Sequence, residues 1–264
     1  GVDNNIPEVQ VSSADQNLVL SLTPSSTARR AADLSEIAPE TPTAPDAEIE
    51  VVATQEGQQE SSYVVPDVTT GTRTDTPIMD IPQSIQVVPQ QVIRDQAAIT
   101  VREALRNVSG VTLATTSGGR GEGFTMRGFS AAQFINGIRD DSYSSRTRTD
   151  LGNIERIEVL KGPASVLFGQ AEPSGIINFI TKQPLLEPYY DFNFTAGSYD
   201  FYRPTIDISG PLNESKTLAY RLNLVYENAG SFRDRVQTER VLVAPTLAWQ
   251  ISPDTKLSFE YTYG

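Results

Sequence analysis

The chain has 264 residues, no Cys, no His and a formal charge of −12 at pH 7. Without thiols or imidazoles there is no disulfide framework, no thiolate or imidazole metal site, and no Ser-His-Asp or Cys-His catalytic arrangement. Residues 1–80 hold 14 acidic and 3 basic side chains, whereas residues 81–264 hold 19 and 18, so the acidity is N-terminal and no basic field suited to nucleic acid exists.

No apolar run reaches the length of a membrane-spanning helix. The longest, such as Leu18-Val19-Leu20-Ser21-Leu22, are strand-sized. A transmembrane β-barrel stays open, because its strands alternate and leave no long apolar run.

Val9-Gln10-Val11 and Leu18 to Leu22 predict two strands across the polar turn Ser12 to Gln16. A lone hairpin is not stable in water, so this pair is either the end of a small β domain over residues 1–23 or an isolated hairpin. Residues 24–75 are rich in Pro, Thr, Ser, Ala and acidic groups. That composition predicts a flexible linker, since too little apolar surface is available to offset ordering. One β-prone island interrupts it: Glu48, Ile49, Glu50, Val51, Val52, Ala53 and Thr54. Such a heptad suits a segment that adds a strand to a partner's sheet edge, or is a chance β-prone patch.

Ile85 and Val87 alternate with polar neighbours in a first strand, and Pro89 opens a short helix running to Arg94. Thr100 and Glu103 form a capping box for the next helix, with Val101, Ala104, Leu105 and Val108 on one face and Gly110 past its end. Val111-Thr112-Leu113 predicts a strand. The Gly-rich loop 115–123 fits neither dinucleotide nor Walker A spacing, so a mobile polar loop is expected there. Thr125, Arg127 and Phe129 are expected on one face of the following strand. Asn136-Gly137 predicts a tight hairpin turn. Residues 140–150 are a polar loop with Tyr143, Arg146 and Arg148.

Residues 154–160 alternate plainly, with Arg156 and Glu158 on one face and Ile157 and Val159 on the other. Pro163 opens a one-turn helix that Gly169 ends, and Ile176 to Thr181 is an apolar strand. Buried charges need partners, because an unpaired one costs about 3–5 kcal/mol. A self-contained domain would pair Arg127 and Arg156 with its own carboxylates, such as Glu158.

From Tyr190 onward the pattern becomes segments of about ten alternating residues joined by turns, as in Leu218, Tyr220, Leu222, Leu224 and Tyr226. Either a membrane barrel or a soluble sheet with one wet face has this periodicity.

The ordered series Phe124-Thr125-Met126-Arg127-Gly128-Phe129, Ile154 to Pro163, Ala164 to Gly169 and Gly175 to Lys182 closely resembles the plug of TonB-dependent outer-membrane receptors, the siderophore branch in particular. The resemblance runs from Thr76 to Pro184. It implies an α+β plug (a mixed small sheet with short helices, 76–184), followed at 185–264 by the first antiparallel strands of a transmembrane β-barrel. The acidic linker 24–75 precedes the plug, and residues 1–23 are similar to the end of an AMIN-type domain. The family barrel has about 22 strands and only five fit here, so a piece of a longer receptor is expected.

The resemblance also implies functions. Residues 48–54 look like a TonB box, which would recruit TonB and its proton-driven inner-membrane complex from the periplasm. Arg127, Arg156 and Glu158 match a plug–barrel lock. Arg120 and Tyr143 match loop positions that touch ligand. The cargo would be an Fe(III)-siderophore, with iron held by the siderophore and no cofactor bound by the chain. The protein would sit in outer-membrane lipid, perform no covalent chemistry and bind no nucleic acid. Against this stand a soluble or surface-attached binding module, and a carboxylate hydrolase for which Asp140 and Asp141 lack any nucleophile–base constellation.

Overall fold

The computed structural model describes residues 8–14, 17–23, 62–116, 122–140, 149–169 and 173–264. The expected N-terminal hairpin is present as β1 (Glu8–Ala14) and β2 (Asn17–Thr23), paired antiparallel. It does not stand alone, because β2 continues into a larger sheet described below.

The ordered plug begins ahead of the expected boundary at Thr76, with a short ribbon of β3 (Asp67–Val68) against β4 (Thr76–Pro77); the end of the expected linker is packed here, with Val68 and Thr70 fully buried. A 3-10 turn at Ile78–Asp80 leads to β5 (Ser84–Pro89) and helix α1 (Gln90–Asp95), with Pro89 as the cap residue. Helix α2 (Val101–Ala104) carries both halves of the capping box: the Glu103 N–H donates to Thr100 Oγ1 at 3.1 Å, and the Thr100 N–H donates to the Glu103 carboxylate at 3.0 Å. Tighter turns carry the chain on to Gly110, so the α-helical part is shorter than the apolar spacing suggests. The face itself is as expected, with Val101, Ala104, Leu105 and Val108 all buried.

Next come β6 (Val111–Thr116), β7 (Glu122–Met126) and β8 (Phe129–Ser130), which form a three-stranded sheet. Arg127 and Gly128 both have positive φ, 53° and 83°, and form the two-residue turn between β7 and β8. Arg127 is therefore in a turn and does not share a strand face with Thr125 and Phe129. The glycine at the second turn position was the local sign of this.

The central sheet is built from β9 (Ala132–Ile135), β10 (Ile138–Arg139), β11 (Ile154–Lys161), β12 (Gly175–Thr181) and β5, in the order β10-β9-β12-β11-β5. Asn136 and Gly137 make the expected tight turn, with φ of 48° and 76°. The one-turn helix is α3 (Ser165–Phe168), ended by Gly169 at φ 67°. One face of the sheet, through Val88, Ile157, Val159, Ile177 and Phe179, packs on the helices and the small sheet. The other face gathers Phe134, Leu160, Ile176 and Phe168. Because β11 is covered on both sides, its residues are buried from Ile154 to Leu160. That explains why both faces mix charge with apolar groups: each charge there has a specific partner.

After the plug, β13 (Tyr189–Gly197), β14 (Phe201–Pro211), β15 (Leu218–Ala229), β16 (Thr238–Ser252) and β17 (Thr255–Glu260) form an antiparallel meander. The edge of β13 is taken by β2, with Leu20 opposite Phe194 in register. Alternation sorts the side chains. Arg203, Asp207, Arg221, Asn223 and Glu227 are buried on the face that meets the plug. Tyr190, Phe192, Tyr202, Trp249, Leu257 and Phe259 are exposed on the opposite face.

Candidate functional site

The chemistry of the chain lies where the plug meets the meander and in the polar row on the second face of the central sheet. In that row, Arg156 Nε donates to Glu158 Oε1 at 2.8 Å, and Arg156 Nη1 donates to Glu155 Oε1 at 2.9 Å. Neighbours on a regular strand point to opposite faces. A register shift between Ile154 and Arg156 breaks the alternation, and Glu155 reaches its neighbour. Burial disfavours the Arg156 cation, but the two carboxylates outweigh it and raise its pKa. Glu158 is fully buried and accepts, on Oε2, the N–H of Thr70 at 2.9 Å and the Thr70 hydroxyl.

Between plug and meander, Asp150 is the hub. Arg203 on β14 donates to it twice, at 2.7 and 3.1 Å, and Arg240 on β16 lies 3.5 Å away. Arg203 also donates to Glu227 on β15 at 2.6 Å. The N–H of Gly152 donates to Asp150 at 2.7 Å and closes the loop under the carboxylate. Burial alone would raise the Asp150 pKa; Arg203, Arg240 and that N–H reverse the effect and lower it. Gly152 itself lies against the wall: a Cβ there would sit 2.4 Å from Val225 Cγ2.

A second cluster sits at the plug exit. Lys182, buried, donates to Asp207 at 2.8 Å and to the carbonyl of Gly152 at 2.9 Å. Burial lowers its pKa, and the cations Arg221 and Arg94 add to that against the pull of Asp207. Arg221 grips the same Asp207 through Nε and Nη2, both at 2.9 Å. Arg94 on α1 donates to Asp191 on β13 at 3.1 Å. On the far side Glu260 of β17 accepts from Asn136, Thr181 and Gln183 of the plug at 2.7, 2.9 and 3.0 Å.

This sheet therefore has its charged face turned to a protein core and its apolar face turned outward. A soluble sheet does the reverse; a wall bathed in lipid and closed around a plug has this arrangement. The TonB-dependent Receptor Plug Domain family matches residues 77–176. This chain belongs to the TonB-dependent receptor family. It is 41% identical over 194 residues to the metal-pseudopaline receptor CntO of Pseudomonas aeruginosa, covering 72% of this chain and 27% of that protein. It is 31% identical to the ferrichrome outer membrane transporter/phage receptor of Escherichia coli K12, over 73% of this chain and 26% of that one. The crystal structure of the ferripyoverdine receptor of the outer membrane of Pseudomonas aeruginosa superposes with a TM-score of 0.71 at 30% identity, covering 77% of this chain and 28% of that structure. The chain thus spans about a quarter of the length of the curated relatives it matches.

Within this TonB-dependent receptor the sequence-predicted residues fall into three groups. Arg156 and Glu158 are brought together on one face of β11, as expected. Arg127 is exposed in its turn, and among the described residues it makes no hydrogen bond or ion pair. The TonB-box heptad 48–54 and the ligand candidates Arg120 and Tyr143 lie outside the described residues. Sequence reasoning missed Asp150, Lys182, Arg203 and Asp207. The available signal was charge at inward positions of alternating strands, since Arg203 and Asp207 sit four residues apart where a soluble sheet of this pattern would face water.

Proposed function

We propose that the chain is the plug and part of the wall of an outer-membrane receptor that takes up a ferric siderophore. Glu48–Thr54 acts as the TonB box on the periplasmic side, adding a strand to TonB, whose partners draw on the inner-membrane proton gradient. The observation that carries this reading is the inverted wall, with buried charges locked to the plug and apolar side chains outward. Ion pairs across the plug surface seal the barrel at rest and can exchange for water when the plug is pulled, which a dry apolar contact cannot do as readily. No bond is made or broken in the cargo; iron stays on its chelator. Arg120 and Tyr143 are the proposed plug contacts, a guanidinium and a phenol suited to an oxygen-rich chelate. Arg127, Arg156 and Glu158 are the proposed lock, together with the Asp150–Arg203 pair. Residues 1–23 are proposed as the end of an AMIN-like domain.

The ferrichrome and ferripyoverdine relatives support an iron-chelate cargo by their names, as does the catecholate siderophore receptor Fiu of Escherichia coli. The test is accumulation of radiolabelled iron from a panel of hydroxamate, catecholate and mixed siderophores, in cells with and without TonB. Accumulation of one chelate that needs both the receptor and TonB is expected. The panel includes chelates of metals other than iron, because one relative is named for metal-pseudopaline. Uptake of none of them, or uptake independent of TonB, would sink the reading.

A further inference from the structure

Residues 69–75 form a knob that closes the second face of the central plug sheet. It projects from the two-residue ribbon of β3 and β4, and the Arg73 N–H donates to the Thr69 carbonyl at 2.7 Å. At its centre Thr70 is fully buried and makes three hydrogen bonds into the sheet. Its N–H and hydroxyl both go to Glu158, and its Oγ1 accepts from Asn178 Nδ2 at 2.9 Å. Asn178 in turn accepts the Gly137 N–H at 3.0 Å. Glu158, Asn178 and Phe134 lie side by side across β11, β12 and β9, so one threonine spans the middle of the sheet. The knob is also held by shape. A Cβ on Gly71 would come within 2.8 Å of two Ile81 side-chain atoms, and the Arg73 guanidinium lies 4.9 Å over the Phe168 ring.

We propose that Thr70 is the latch joining the N-terminal segment to the buried Arg156–Glu158 pair, and that its release is the first event when that segment is pulled. The proposal rests on the reading that force arrives from the TonB box upstream. A pull from residue 62 first breaks the Tyr63–Asp95 hydrogen bond, then peels the two-residue strand and bears on Thr70. When Thr70 leaves, Glu158 keeps only Arg156 as a partner, and the row Arg156, Glu158 and Asn178 opens to water. A buried carboxylate that loses two donors drives hydration of that face, so release is cooperative and not a gradual fraying. Thr70 acts through Glu158 and is a positioning residue; nothing requires it to touch cargo.

The test applies force without TonB. The full receptor in outer-membrane vesicles is tethered by a tag inserted between residues 55 and 61, on the plug side of the β1–β2 hairpin that pairs with β13, and held at constant force. The first extension should release residues 62–83, up to about 75 Å of chain. Thr70→Val keeps the shape and the backbone N–H but deletes the hydroxyl, and should speed this first step about tenfold or more. Thr70→Ser restores the hydroxyl and should return the rate to near wild type. Equal rates for wild type and Thr70→Val, a Ser variant as fast as the Val variant, or a first step that already contains β11 would each overturn the latch. Binding of a periplasmic TonB fragment to the same vesicles is scored separately. Its failure would remove the coupling reading and leave the force result to stand for the latch.

Discussion

Asp150 of the plug and Arg203 of β14 meet through two hydrogen bonds, and both side chains are buried. The pair joins a loop to a strand 53 residues away and ties two structural units that share no sheet. Charges withdrawn from water in this way add little net stability while intact, yet breaking one partner leaves an uncompensated charge.

Asp150→Ala should therefore cost about 3–5 kcal/mol at the plug–wall contact. Arg203 would retain Glu227, whereas Arg240 would lose its Asp150 contact. The measurement is conductance of the full receptor in a planar bilayer. A raised baseline, with transient openings that wild type lacks, is expected. Unchanged conductance together with unchanged thermal stability would mean that Asp150 is not a seal.

The next prediction concerns shape. Gly152→Ala places a methyl 2.4 Å from Val225 Cγ2, an overlap that must be relieved by moving the loop or the wall. Overpacking of this kind costs about 1–3 kcal/mol. Val225→Ala removes the opposing methyls and should restore part of the loss in the double variant. Melting temperatures of the four proteins form a cycle, and strictly additive losses would show that the two sites do not touch.

Arg127 and Arg156 should separate cleanly, although the family resemblance assigns both to one lock. Arg156 is buried between Glu155 and Glu158, so Arg156→Ala removes the cation that both carboxylates share and should destabilise the plug by about 3–5 kcal/mol. Arg127 is exposed in its turn, so Arg127→Ala should leave plug stability within about 0.5 kcal/mol. If Arg127 locks against wall strands beyond this chain, its loss will appear only as permeability of the full receptor. Equal destabilisation by the two substitutions would refute the distinction.

These residues also show what was legible in the sequence. Local chemistry was: the Thr100–Glu103 capping box, the Asn136-Gly137 turn and the alternation through β13 to β17 all depend on neighbours within a few positions. Register was partly legible. Arg156 and Glu158 share a face because they are two apart, but the bulge that turns Glu155 toward Arg156 depends on pairing with β12. Arg127 was misplaced because Thr125 to Phe129 alternates like a continuous strand, and only Gly128 hints at the reversal. Asp150 and Lys182 were invisible as site residues. Each looks like an ordinary loop charge until Arg203 or Asp207 arrives from a later strand.

Coupling is tested upstream. Val51→Pro should abolish TonB-dependent uptake and spare cargo binding, because proline removes a backbone donor and disrupts the added strand. Binding is read by quenching of receptor fluorescence, uptake by radiolabelled iron. Persisting uptake would exclude Glu48–Thr54 as the coupling segment.

The seal should also respond to acid, with a sign set by Asp150. Its carboxyl titrates below the ordinary value of 3.8: burial pushes it up, but Arg203, Arg240 and the Gly152 N–H more than offset that. A depressed folded-state pKa means that the released chain binds the proton first as pH falls. The stabilisation is thus complete above about pH 5 and is lost as pH drops through the native value. Lys182 has the same sign in a more alkaline window. Its pKa is lowered from 10.5, so between the native value and 10.5 the released state holds more protons and the folded state gains stability as pH rises. Near neutrality Asp150 adds no slope, and acid opening below about pH 4 should be steep in wild type. Asp150→Asn cannot titrate and should flatten the acid limb while raising conductance at all pH values. An acid limb of unchanged steepness in that variant would assign the opening to other carboxylates.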